Sequence, residues 1–134
     1  MNRYDDFGKL ILRLSVGILL LMHGLHKLMH GISAISAMVN ANGWPAWIAY
    51  GVFIGEIIAP VLIIVGLLTR VSALVVVSNM IVAIYLAHSH QLFHLTKTGG
   101  WLLELQGLYL FGALAIALLG AGRISVGGAH GRMN

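Results

Sequence analysis

The segment FGKLILRLSVGILLLMHGLHKLM, residues 7–29, indicates the fold class because it is long and apolar enough to cross a lipid bilayer. A membrane-spanning helix needs about 20 mostly apolar residues. Three more segments of this kind follow, at about residues 47–68, 71–92 and 100–119. Only 9% of the 134 residues are charged, against about a quarter in soluble domains. The sequence therefore predicts a single all-α domain, residues 1–134, built as a four-transmembrane-helix bundle.

The connections and the basic residues predict the topology. Residues 31–47, GISAISAMVNANGWPAW, have apolar residues at helical spacing before a turn signal, which predicts a short interfacial helix between the first two spans. Lys27 and Lys97 lie at the outward ends of the spans, and the other six Lys and Arg residues lie at the opposite ends. By the positive-inside rule, both termini face the cytoplasm. We expect a multi-pass protein of the inner (plasma) membrane, in contact with the lipid bilayer.

Ionisable residues from all four spans are predicted to lie in the outer half of the membrane. Such groups are costly in lipid, so they are expected to face one another inside the bundle. The sequence thus predicts a ligand-binding pocket formed by five residues, with Asn79 and Gln106 adding neutral hydrogen-bonding groups. The five predicted pocket residues are His23, Lys27, Glu56, His88 and Glu104.

Each of these residues also has a structural interpretation. Lys27 can extend its ammonium group to the lipid headgroups, or it can form a structural ion pair with Glu56. Glu104 is a candidate hydrogen-bond partner of His88 or His23. The remaining outward histidines lie where water can reach them, and we expect them to be interfacial; they are His26, His30, His90 and His94.

Several stretches resemble the DoxX family of membrane proteins. Residues 10–28, LILRLSVGILLLMHGLHKL, are similar to the first helix of that family, and residues 50–74, YGVFIGEIIAPVLIIVGLLTRVSAL, to its second. Residues 79–106, NMIVAIYLAHSHQLFHLTKTGGWLLELQ, resemble its third-helix histidine and fourth-helix glutamate, and residues 118–126, LLGAGRISV, its C-terminal close. This C-terminal stretch departs from the family pattern, which often ends in Ser-x-Asp, because here Ser125 is followed by Val126 and Gly127.

The resemblance implies a four-helix membrane protein with a redox association. Its motif positions are His23, Lys27, Glu56, Arg70, His88 and Glu104. Some relatives are subunits of a thiosulfate:quinone oxidoreductase, and others are linked to membrane redox or oxidative-stress complexes. The resemblance does not specify a ligand, and it leaves open whether this chain is an enzyme.

Three functions remain open from the sequence. The first is quinone binding, with Lys27 or His23 as donor and Glu56 or Glu104 as proton relay. The chain has no cysteine and no flavin motif, so electrons would come from another redox subunit.

The second function is metal or haem binding, for which the candidate ligands are His23, His26 and His88. The third is a non-catalytic assembly or anchor protein for a periplasmic or membrane partner, and a homo-oligomer is compatible with any of the three. The basic residues are scattered, so nucleic acid is not an expected partner.

Overall fold

The computed structural model describes residues 2–134, and within that range the chain forms helices and loops without a β-strand. Helix α1 spans Arg3–His30 and α2 spans Ser33–Ala41. Helix α3 runs over Ala46–Val65, α4 over Thr69–His88 and α5 over Glu104–Leu119. A 3₁₀ turn, Ser89–Gln91, extends α4. The short helix predicted between the first two spans corresponds to α2.

Three helices are long and apolar enough to cross a membrane: α1, α3, and α4 with its 3₁₀ extension. Helix α5 is apolar but has only 16 residues. At about 1.5 Å per residue it is roughly 24 Å long, somewhat shorter than a hydrocarbon core of about 30 Å. The fourth segment is predicted to begin at residue 100, but residues 100–103 lie outside the helix, with Trp101 bridged to Leu95, and the helix begins at Glu104.

Large apolar side chains cover the outer surface of the bundle. In water this surface would be unfavourable, and its extent exceeds the scattered apolar residues of a soluble protein. Together with the long apolar helices, it identifies a multi-pass membrane protein whose surroundings are lipid. Representative exposed residues are Ile11, Leu19, Ile58, Leu74, Ile81, Leu108 and Leu118.

Small residues let the helices approach closely. A Cβ atom on Gly17 of α1 would lie 2.6 Å from Cγ1 of Ile64 in α3. A Cβ atom on Gly112 of α5 would lie 2.9 Å from Cγ2 of Val16 in α1. Close approach through small residues is a main source of packing energy between helices in lipid, where the hydrophobic effect contributes little. The buried core comprises Val16, Leu20, Ala59, Ile63, Ala73, Val76, Met80, Tyr109, Ala113 and Ile116.

Arg13 holds together the end of the bundle nearest both termini. Its side chain is 1% exposed and donates to the carbonyls of Ile63 and Ile64, near the end of α3. It also donates to the carbonyls of Ala121 and Ile124 in the C-terminal segment. The last carbonyls of a helix lack partners and carry partial negative charge, so a guanidinium group suits them. In the sequence, Arg13 contributed only to the prediction of topology, whereas in the structure it joins α1, α3 and the C-terminal segment.

The start of α4 is joined to the C-terminal segment. The backbone N–H and hydroxyl group of Thr69 donate to Asn134 Oδ1, so a residue distant in sequence caps this helix. Arg70 donates to the carbonyls of Ala117 and Leu118 at the end of α5. These contacts close the bundle at the end opposite Lys27.

Candidate functional site

Glu56 lies in a π-helical turn of α3, Ile54–Ile58, just before Pro60. Proline has no N–H, and its ring crowds the carbonyl four residues earlier, which here belongs to Glu56. A widened turn relieves that crowding, and such turns are frequent at functional sites. The kink expected at Pro60 therefore takes the form of a π turn, and Glu56 within it is 4% exposed.

Two glycines bring neighbouring helices close to Glu56. A Cβ atom on Gly24 of α1 would collide with the carbonyl oxygen of Glu56 and would lie 2.8 Å from Cγ1 of Ile57. A Cβ atom on Gly55 would lie 2.5 Å from Cβ of Asn79 in α4. Helices α1 and α4 can thus both pack against this turn, and their polar side chains reach the Glu56 carboxylate.

The Glu56 carboxylate has two partners. Lys27 Nζ lies 2.6 Å from Glu56 Oε2, and Asn79 Nδ2 donates to Oε1 over 3.4 Å. The Glu56 side chain is 5% exposed, whereas that of Lys27 is 30% exposed. A buried carboxylate needs a counter-charge and hydrogen bonds to remain ionised. Lys27 supplies the counter-charge while keeping part of its side chain at the surface.

His23 and Tyr109 form an edge-to-face contact between α1 and α5. Their ring centroids are 5.8 Å apart and the planes meet at 81°. Tyr109 is buried, and His23 is exposed. Because both side chains line the same cavity, this contact forms part of its rim between the first and last helices.

His88, at the end of α4, lies between two glutamines. His88 Nδ1 is 2.8 Å from Gln91 Oε1, and His88 Nε2 is 3.4 Å from Gln106 Nε2. Gln106 belongs to α5, so these contacts link the C-terminal end of α4 to α5.

These groups border one cavity of about 490 Å³, within the size range of small-molecule sites. Most of its lining is apolar, and Ile35, Met38 and Val39 of α2 contribute to it. Exposed side chains such as Ile54 and Leu105 also line it, so the cavity reaches the surface of the bundle. Its polar lining residues are His23, Lys27, Glu56, Ser78, Asn79, His88, Gln106 and Tyr109.

The structure brings four of the five predicted pocket residues to this cavity, namely His23, Lys27, Glu56 and His88. Glu104 is exposed, lies outside the lining and has its carboxylate beside Gly100. It does not form the predicted hydrogen bond with His88 or His23, since His88 contacts glutamines instead. Side chains two positions apart in a helix point in directions that differ by about 200°. Because Gln106 faces the cavity, Glu104 points away from it.

The predicted metal ligands are not brought together. Within residues 2–134, no group of three or more His, Asp or Glu side chains is placed to hold a metal ion. His26 is exposed and stacks on His30, with ring centroids 4.2 Å apart, and it does not line the cavity with His23 and His88. His26 lies three residues from His23 and four from His30, so helical spacing allows either neighbour, and in the structure its ring packs on His30.

Sequence reasoning missed two polar lining residues, Tyr109 and Ser78, and the outer partner of His88, Gln91. A signal for Tyr109 was available, because it follows Gln106 by three residues in an otherwise apolar helix and so shares its face. Ser78 and Gln91 had no comparable signal, since serine is common in membrane helices and Gln91 lies in a polar stretch at the end of the third segment.

Apolar helices enclosing a cavity with a buried ion pair define a helical membrane protein with a candidate ligand site. The chain belongs to the DoxX family, whose model matches residues 8–89. That range covers α1 to α4 and includes four of the polar residues of the cavity predicted from the sequence: His23, Lys27, Glu56 and His88.

One curated relative is "Putative oxidoreductase CatD" from Bacillus subtilis (strain 168), which is 33% identical over 84 residues. The match covers 63% of this chain and 62% of the relative, so it spans less than two thirds of the relative's length. No solved structure matches the chain.

Proposed function

We propose that this protein is a redox-associated subunit of the inner membrane that binds a quinone in the cavity between the helices. The observation that carries the proposal is the mostly apolar cavity of about 490 Å³ with the Lys27–Glu56 ion pair in its wall. Ligand sites commonly combine an apolar lining with a few polar groups that orient the ligand. A quinone has a flat ring, an apolar tail and two carbonyl acceptors, which suits such a lining.

The polar residues of the cavity have distinct roles in this proposal. Lys27 donates a hydrogen bond to a quinone carbonyl, because an ammonium group has three N–H donors and Glu56 uses only part of that capacity. Glu56 holds the Lys27 side chain in position and relays a proton when the ligand changes its protonation state. The apolar side chains of α2, α3 and α4 hold the ring and the tail.

Electrons are supplied by a separate redox subunit, since this chain contains no cysteine to act as a thiol redox centre. The relative from Bacillus subtilis is named a putative oxidoreductase, which supports a redox association. In this proposal the partner transfers electrons, and this chain binds the quinone and provides the groups that donate and accept protons.

The proposed topology has four spans with both termini in the cytoplasm. Arg13 and Arg70 lie at the end of the bundle that holds the C-terminal segment, whereas Lys27 and His88 lie at the ends of α1 and α4 farthest from it. The positive-inside rule then places the cavity toward the non-cytoplasmic face.

Titration of the purified protein in lipid nanodiscs with ubiquinone-1 tests the proposal. The wild type should bind, and Glu56→Gln should weaken binding by about 10-fold, which corresponds to roughly 1.4 kcal/mol. Glu104→Gln is the matched control, because Glu104 is the other carboxylate near the outer ends of the spans and lies outside the cavity. Absence of binding by the wild type, or equal losses in both variants, would contradict the proposal.

A second candidate is a non-catalytic assembly or anchor protein, in which the ion pair only stabilises helix packing. It is favoured by the completeness of the Glu56 contacts, since Lys27 and Asn79 already satisfy its carboxylate. Replacing both charges, as Lys27→Met with Glu56→Gln, separates the two functions. A folded double variant that loses quinone binding and cellular function supports the quinone site, and one that keeps its cellular function supports the anchor.

A further inference from the structure

The contacts of His88 determine which of its ring nitrogens carries hydrogen. The Oε1 atom of Gln91 is an amide oxygen, which only accepts hydrogen bonds, so His88 Nδ1 must be the donor over the 2.8 Å between them. A neutral imidazole with hydrogen on Nδ1 has a bare lone pair on Nε2. His88 is therefore held as an acceptor at Nε2.

This acceptor is weakly occupied and borders the cavity. Gln106 Nε2 lies 3.4 Å from His88 Nε2, beyond the range of roughly 2.7–3.2 Å that is usual for hydrogen bonds donated by N–H groups. Both side chains line the cavity, whereas Gln91 does not. A hydroxyl group of a bound ligand can replace the long contact with Gln106.

The other strong acceptor in the cavity wall is the Glu56 carboxylate, which is paired with the charge of Lys27. Its Oε2 accepts from Lys27 over 2.6 Å, whereas its Oε1 contact with Asn79 is 3.4 Å, as long as the contact between His88 and Gln106. A quinone carbonyl offers no hydrogen for His88 Nε2, whereas the hydroxyl of a hydroquinone donates one. The acceptor at His88 Nε2 can therefore form a hydrogen bond with the hydroquinone form of a ligand but not with its quinone form.

We propose that the cavity binds the reduced, hydroquinone form more tightly than the quinone, because Gln91 holds His88 in the tautomer that accepts from a ligand hydroxyl. This inference rests on the proposed quinone site. His88 contacts the ligand, and Gln91 is a positioning residue that acts through His88.

The test is anaerobic titration of the nanodisc-embedded protein with ubiquinol-1 and ubiquinone-1, in buffer alkaline enough to keep imidazole neutral. For the wild type we expect the ratio of the two dissociation constants to favour ubiquinol-1 by roughly 3- to 10-fold, the value of one hydrogen bond. Gln91→Leu should bring the ratio to about one while ubiquinone-1 still binds. His94→Gln, at an exposed loop histidine outside the cavity, should leave the ratio unchanged.

Nitrogen-15 NMR of histidine-labelled protein gives an independent readout of the tautomer. The His88 signals, assigned with His88→Phe, should show hydrogen on Nδ1 in the wild type and a shift toward hydrogen on Nε2 in Gln91→Leu. Equal affinity for the two ligand forms, a ratio that survives Gln91→Leu, or hydrogen on Nε2 in the wild type overturns this inference alone. If neither ubiquinol-1 nor ubiquinone-1 binds, the proposed quinone site is overturned as well.

Discussion

At the scale of single residues, the site depends on the carboxylate of Glu56, which the helices bury and Lys27 pairs with its positive charge. Glu56 is almost fully buried, and Lys27 reaches it from the last turn of α1. Removing one member of a fully buried ion pair typically costs about 3–5 kcal/mol, because the other charge is left unpaired. Lys27 retains partial exposure, which reduces the cost through solvent screening.

Lys27→Met should destabilise the protein by about 2 kcal/mol, because Glu56 would remain buried with only Asn79 as a partner. Glu56→Gln should cost less, since Lys27 can extend to the surface and a glutamine can still accept from Asn79. Thermal unfolding of the two variants in the same detergent measures the difference. Equal stability of Lys27→Met and the wild type would show that the pair contributes nothing to folding.

Gly24→Val should disrupt the packing of α1 on the π turn, because its side chain would overlap the Glu56 carbonyl and Ile57. Overpacking of this kind costs about 1–3 kcal/mol, and here rigid backbone must move. Gly8→Ala is the matched control in the same helix, since its new Cβ would meet nothing within 4 Å. Thermal unfolding should show a lower midpoint for Gly24→Val only, and an equal effect at Gly8 would contradict the packing argument.

At the scale of helices, two departures from regular helical structure matter: the π turn in the middle of α3 and the unpaired carbonyls at helix ends. The π turn before Pro60 lies beside the cavity, and the carbonyls at the ends of α3 and α5 are bound by arginines. Unpaired carbonyls are costly in a membrane protein because the bilayer core offers no water to bind them. Arg13 and Arg70 therefore make helix ends stable where a soluble protein would use solvent.

Arg13→Lys should destabilise the bundle although it keeps the charge. A lysine has three N–H donors on a single nitrogen and cannot reach all four carbonyls; the loss of two charged hydrogen bonds, at roughly 1.5 kcal/mol each, would cost about 3 kcal/mol. Arg132→Lys, at an exposed site, is the control and should have little effect. Thermal unfolding should give a lower midpoint for Arg13→Lys than for Arg132→Lys. Equal midpoints would mean that the carbonyl contacts of Arg13 do not stabilise the fold.

At the scale of the whole molecule, charge is distributed unequally between the two ends. Six of the eight Lys and Arg residues lie toward the end that holds the termini, and the positive-inside rule predicts that this end faces the cytoplasm. Lys27 and His88, which line the cavity, lie toward the other end. The direction of insertion thus determines toward which side of the membrane these two residues lie.

The topology can be tested with single cysteines, since the chain has none of its own. In intact cells, a membrane-impermeant maleimide should label Thr98→Cys in the loop before α5. It should label Met133→Cys only after the cells are made permeable. The unaltered chain is the control and should not react. The reverse pattern would place the termini and the Arg13 end outside.

The amino-acid sequence was sufficient for the membrane character, the family and the approximate positions of the helices, the last of which begins four residues later than predicted. Each of these depends on local composition or on short motifs. It also placed Lys27 near Glu56, since depth along a helix follows from residue counting. Packing between helices decided which side chains share the cavity, and it added Tyr109 while leaving Glu104 outside. The contacts of Arg13 with Ala121 and of Thr69 with Asn134 join residues 108 and 65 positions apart. Such contacts depend on the rotation of each helix and the path of its backbone, which no local pattern in the sequence encodes.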